Sequence, residues 1–193
     1  GHTLNLFDHG QTDGTGYYLG HGEGWTQWGV IMGWDSDSIG IWDDGNYPIP
    51  NHPEDSLNII ETRQGVDYRP DDHGNSIGTA TAVDINAADL IAEGIIEQNA
   101  DVDYFSFNMA SSGDVTIAIN GDIQMVMTNL DILAKLYDSN GVELFASNPL
   151  DRLWAVFDVS LPAGDYYISV DGVGYDDPGG EPNEGYGYTD YGI

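Results

Sequence analysis

Beyond residue 76 the chain alternates apolar and polar positions. Phe105, Phe107 and Met109 are separated by polar neighbours, and Val115, Ile117 and Ile119 repeat the pattern. Ile132, Ala134 and Leu136 can share an inner face while Lys135 and Tyr137 point outward. Ala155, Phe157, Val159 and Leu161 form a further row, followed by Tyr166, Ile168 and Val170. Successive side chains of a strand point to opposite faces, so a period of two marks half-buried strands. Asp138-Ser139-Asn140-Gly141 reads as a hairpin turn into a strand over 142–147, and Pro162-Ala163-Gly164-Asp165 as the turn between the last two rows. About seven short strands with such turns predict a mainly β fold, an antiparallel, jelly-roll-like sandwich. Residues 79–83 and 87–93 fit a short helix or a strand equally well.

The first 47 residues lack such a period. They are rich in glycine and aromatics, which predicts irregular loops laid over a site and not a self-sufficient core. Asn51-His52-Pro53-Glu54-Asp55 then reads as a helix start, with a capping residue, proline in the first turn and acids favoured by the dipole. Leu57, Ile59 and Ile60 supply its buried side, and the helix should fade near Arg63-Gln64-Gly65. A polar connector containing Pro70 and the Asp71-Asp72 pair follows. The predicted organisation is an irregular, partly helical domain over 1–65, a linker over 66–75 and a sandwich over 76–193.

Charge narrows the partners. The 193 residues carry 33 acids against four Lys and Arg, a formal net charge of -29. Such a surface repels nucleic acid phosphates and anionic lipid, so neither is expected as a partner. It suits a solvated exterior in saline water, and clustered carboxylates also suit hard cations. No apolar run is long enough to insert across a membrane. Cysteine is absent, so any metal must be held by oxygen and imidazole.

Two imidazoles and a carboxylate stand at the start, in Gly1-His2-Thr3-Leu4-Asn5-Leu6-Phe7-Asp8-His9-Gly10, and Trp28-Gly29-Val30-Ile31-Met32-Gly33 follows. The first run resembles the back half of the metzincin zinc helix, H-E-x-x-H-x-x-G-x-x-H, and the second resembles the Met-turn beneath such a zinc. With the run 16–22, Gly16-Tyr17-Tyr18-Leu19-Gly20-His21-Gly22, residues 1–62 resemble reprolysin-like secreted bacterial metallopeptidases. The resemblance implies that His2 is the second zinc ligand and that Met32 supports the ligands from below. The third ligand is Asp8 or His9, because the family more often has His-Asp-Gly where this chain has Asp8-His9-Gly10. Asn5 stands where the family has glycine, a mild change because asparagine tolerates the left-handed conformation. The first histidine and the catalytic glutamate are then expected upstream of Gly1, leaving this piece without protease activity. His21, His52 and His73 read as loop or capping residues.

The second part resembles the bacterial pre-peptidase C-terminal domain, a β-sandwich appended to secreted peptidases. The matching runs are Asp71-Asp72-His73-Gly74-Asn75, Ala100-Asp101-Val102-Asp103-Tyr104-Phe105-Ser106-Phe107, Leu130-Asp131-Ile132 with Leu136-Tyr137-Asp138-Ser139-Asn140-Gly141, and Leu161-Pro162-Ala163-Gly164-Asp165-Tyr166-Tyr167-Ile168-Ser169-Val170. In that family a last strand follows the Tyr-rich turn, so it is expected beyond Tyr188-Thr189-Asp190-Tyr191-Gly192-Ile193. In calcium-binding relatives acids of two of these regions converge on an ion, here Asp71 and Asp72 with Asp101 and Asp103. The alternative is that these aspartates cap turns.

Three functions follow as expectations: part of a secreted zinc endopeptidase acting on protein or peptide by metal-activated water, a module binding calcium or an extracellular polymer, or a surface adhesin. Two other motifs fail. Gly74-Asn75-Ser76-Ile77-Gly78 matches the nucleophile elbow but lacks its strand-to-helix setting. Asp35-Ser36-Asp37-Ser38-Ile39-Gly40 begins like an EF-hand, yet Ile39 and Asn46 occupy ligand positions.

Overall fold

The computed structural model describes residues 1–22, 24–34, 39–42, 44–86, 92–121 and 130–174. Residues 35–38 of the failed EF-hand run, the 87–93 stretch up to residue 91 and the expected end of the sandwich lie outside them. The chain divides into two compact units, one built mainly on Gly1–Arg69 and one on Pro70–Pro149 with Leu153–Gly172.

Unit two is the predicted sandwich. Its strands are β3 (Thr81–Ala82), β4 (Val102–Met109), β5 (Gly113–Ile119), β6 (Ile132–Asp138), β7 (Glu143–Ser147), β8 (Ala155–Leu161) and β9 (Gly164–Gly172). Five form one sheet in the order β3-β4-β9-β6-β7, and β5 pairs with β8 in another. All pairs are antiparallel except β3 with β4. The alternating rows meet in one core: Phe107 and Met109, Ile132, Ala134 and Leu136, Ala155, Phe157, Val159 and Leu161, and Tyr166 are all buried together. Tyr166 stacks on Phe107 and donates its hydroxyl proton to the Pro162 carbonyl at 3.0 Å, pinning the turn before β9. The stretch 79–83 resolves into a 3-10 turn, Ile77–Thr79, and then β3.

The connector is shorter than the pattern predicts. Residues 70–75 belong to the sandwich, because Tyr104 N–H bonds the Gly74 carbonyl at 3.2 Å and Val102 N–H bonds Asn75 Oδ1 at 3.0 Å.

Unit one has a core of its own, contrary to expectation. β1 (Trp28–Val30) and β2 (Ile39–Ile41) form a short parallel pair. Around them Trp28, Tyr47, Tyr18, His9 and His21 are buried, with Tyr18 stacked on Tyr47 at 4.9 Å. Trp28 therefore packs in a core, whereas Trp34 is exposed. The helix α1 spans Ser56–Gln64, later than predicted. Its cap is Asp55, whose carboxylate accepts Asn58 N–H at 2.9 Å. Asn51 lies four residues ahead of that cap and holds Gly10 instead, its Oδ1 accepting Gly10 N–H, also at 2.9 Å. Gly65, in the left-handed region at φ 65°, ends the helix.

Candidate metal centres

In unit two the four predicted aspartates come together. Alternation along β4 puts Asp103 on the same side as Phe105, Phe107 and Met109, at the strand's first turn of pleat. Asp103 is 2% exposed and Asp101 6%. Carboxylate oxygens of Asp71, Asp101 and Asp103 all lie within 4.8 Å of one another, and so do ligand atoms of Asp72, His73 and Asp103. Each aspartate arrives by a separate restraint. Asp71 forms an Asx turn, accepting His73 N–H at 3.1 Å, and also accepts Asn75 Nδ2 at 3.3 Å. Asp72 accepts Ile95 N–H at 3.4 Å, and Asp101 accepts Glu97 N–H at 3.1 Å.

The sequence did not single out the clamp that closes the cluster. His73 Nε2–H donates to the Glu93 carbonyl at 2.7 Å, leaving Nδ1 to accept from the Thr81 hydroxyl at 2.8 Å. Both ring nitrogens are engaged, so His73 positions the 93–97 loop and is no ligand. Gly94 permits the approach: a Cβ there would stand 2.5 Å from Asp103 Oδ2 and 2.8 Å from His73 Cδ2.

Burial and repulsion dominate inside the cluster. Asp101 Oδ1, Asp103 Oδ1 and Glu97 Oε1 are buried without a hydrogen-bond partner. Burial first, then the charge of Asp101, pushes Asp103 up to about 7, with only His73 pulling it down. Glu97 is likewise pushed up to about 7, first by burial and then by its hydrogen bond and charge contact with Asp101. Asp171 is raised as well, chiefly by burial, with Lys135 opposing. Glu97 was missed because a lone acid four residues before Asp101 carries no motif.

In unit one, His2 opens a 3-10 turn, His2–Leu4, closed by Asn5 in the left-handed region at φ 64° and ψ 33°. His2 Nδ1 faces the Leu6 carbonyl at 3.0 Å, and Nε2 faces Asp8 Oδ1 at 3.0 Å. Met32 is buried with Leu6, Ile59 and Ile60, and lies so close beneath Gly1 that a methyl group there would overlap its sulfur. Asp8, and not His9, meets His2. His9 is fully buried; its Nε2 donates to Glu54 Oε1 at 3.3 Å, and burial lowers its pKa against the pull of Glu54. The other histidines have structural roles: His21 bonds the Tyr18 hydroxyl and accepts the Trp28 indole N–H at 3.0 Å, and His52 stacks on Phe7 at 4.9 Å.

No protein-family model matches this chain, and no curated protein matches it. Among solved structures, it is similar to the pre-peptidase C-terminal domain of collagenase from Bacillus anthracis, at 16% identity and a TM-score of 0.39, over 57% of this chain and 90% of that one. That likeness is too distant to argue from. The β-sandwich assignment rests on the strands and their pairing.

Proposed function

We propose that unit two is a calcium-holding accessory sandwich of a secreted zinc endopeptidase, and that unit one is part of its catalytic domain. One observation carries the calcium reading: Asp101 and Asp103, both more than nine-tenths buried, each keep an oxygen unpartnered among the described residues and group with Asp71. Burying an uncompensated carboxylate is costly, and a divalent cation turns that repulsion into coordination. Calcium takes six to eight oxygens at about 2.4 Å, so ligand atoms on one ion lie at most about 4.8 Å apart. An all-oxygen donor set with His73 engaged elsewhere favours this hard cation over zinc. Asp71, Asp72, Asp101 and Asp103 would hold it, tying the 71–75 loop to the start of β4. Chelator-treated protein titrated with calcium tests this. At ten times the dissociation constant, binding adds about 1.4 kcal/mol, and an unchanged melting temperature at millimolar calcium removes the reading.

A second observation supports the zinc reading of unit one. His2 Nε2 and Asp8 Oδ1 stand 3.0 Å apart, near the spacing of about 3.3 Å between two ligands of a tetrahedral zinc, and Met32 packs against Gly1, the neighbour of His2. An imidazole and a carboxylate are both zinc donors. Nδ1–H of His2, donating to Leu6, orients the ring and frees Nε2 for a metal. When bound, zinc supplies a Lewis acid and a water acidified to about neutral pH. The catalytic site takes three protein ligands, so the reading requires a histidine four residues ahead of His2 with a glutamate next to it, and the His2–Asp8 pair by itself binds zinc only weakly, at millimolar concentration. Sequencing the reading frame upstream decides the matter: no His-Glu pair at that spacing, no metzincin. Protein or peptide substrates and an extracellular setting belong to the same proposal.

A further inference from the structure

Asp8 reaches His2 from a segment without regular structure, so something else must aim it. One carboxylate oxygen touches the residues on both sides. Glu54 Oε1 accepts Phe7 N–H at 2.9 Å and His9 Nε2–H at 3.3 Å. With the Phe7 amide and the His9 ring both turned to Glu54, the side chain between them is left to the opposite side, where it meets His2. Neighbouring restraints continue the clamp. Gly10 exchanges two hydrogen bonds with Asn51, at 2.9 and 3.1 Å, and His9 N–H donates to the Met32 carbonyl at 2.8 Å. Phe7 stacks on His52, two residues before Glu54.

We infer that Glu54 is a positioning residue that presents Asp8, and withholds His9, at the zinc half-site. The inference rests on the zinc reading of unit one. It gives the inverted Asp8-His9 order a physical cause: the histidine is recruited inward by a half-buried carboxylate, and the aspartate takes the outward place. Glu54 bonds His9 and the Phe7 amide, so its effect on Asp8 must pass through the 7–9 segment.

Zinc chloride titrated into the full chain, with imidazole resonances followed by ¹H–¹⁵N NMR, tests it. In the wild type, zinc shifts His2 and leaves His9 unmoved, and Asp8→Ala abolishes the His2 response. Glu54→Ala weakens that response at least fivefold and brings His9 under the influence of zinc. Glu54→Gln, whose amide oxygen still accepts Phe7 N–H, stays within about twofold of the wild type. Should Glu54→Ala fail to fold, Glu54→Asp, which shortens the reach by one methylene, is read in its place. A wild-type-like zinc response in Glu54→Ala, or in Glu54→Asp where that is the variant read, overturns the inference while leaving the zinc reading intact. An unaltered response in Asp8→Ala, or none in the wild type, defeats the zinc reading and the inference with it.

Discussion

Asp103 should make the calcium-free protein less stable as pH rises, and replacing it should remove that loss. Its carboxyl moves from 3.8 unfolded to about 7 folded. Between these values the folded state keeps a proton that the unfolded state has lost, so stability falls with rising pH and levels off above about 7. Three units at about 1.4 kcal/mol each set an upper bound of about 4 kcal/mol. The exposure of neighbouring Asp71 and Asp72 lets solvent screen part of it, leaving roughly 2 kcal/mol. Asp103→Asn keeps the shape and removes the charge. In chelator at pH 8 the variant should therefore be more stable than the wild type by roughly 2 kcal/mol, about 10 °C in melting temperature for a domain of this size. At pH 4, where the wild-type group is protonated, the gap should close. In saturating calcium the order inverts, because the variant has lost a ligand. Melting followed by circular dichroism at pH 4, 6 and 8, with chelator and with calcium, reads all of this. A wild type whose chelated stability is flat between pH 4 and 8, or an Asp103→Asn variant less stable than it at pH 8, refutes the argument.

Gly94→Ala places a methyl group against Asp103 and His73, so calcium should no longer raise the melting temperature; a preserved shift shows that the 93–97 loop can yield. Asp55→Ala removes the α1 cap and should cost about 1 kcal/mol in denaturant unfolding, and a loss below a few tenths means that another group replaces the cap. With 33 acids against four basic residues, sodium chloride raised from about 0.05 to 1 M should increase the melting temperature by shortening the Debye length to about 3 Å. A fall over that range contradicts self-repulsion as a main burden on the fold.

Much of the sandwich was legible because its chemistry is local. Each inner row is a run of apolar residues at every second position, and alternation alone decides which side chains share a face. The turns at 138–141 and 162–165 carry their own residue signatures, and so does Gly65 at the end of α1. Unit one was less legible. Its core is made of tyrosine, tryptophan and histidine at irregular intervals, and such residues announce burial only when a fold brings their rings together. The helix starts later than expected for a related reason: Asn51 and Asp55 are equally good caps by type, and in the fold Asn51 pairs with Gly10 while Asp55 caps Asn58.

The sequence by itself determined the strand periodicity, the absence of any thiol donor and the acidic pairs at 71–72 and at the start of a strand. Tertiary structure alone decided that Asp8 faces His2 while His9 turns to Glu54, and that Glu97, Gly94 and His73 close around the aspartates. The physical reason is range. Periodicity and turn chemistry act between residues a few positions apart, whereas Glu54 acts on His9 from 45 positions away and His73 on Glu93 from 20, and no one-dimensional pattern encodes which acceptor such a donor will find.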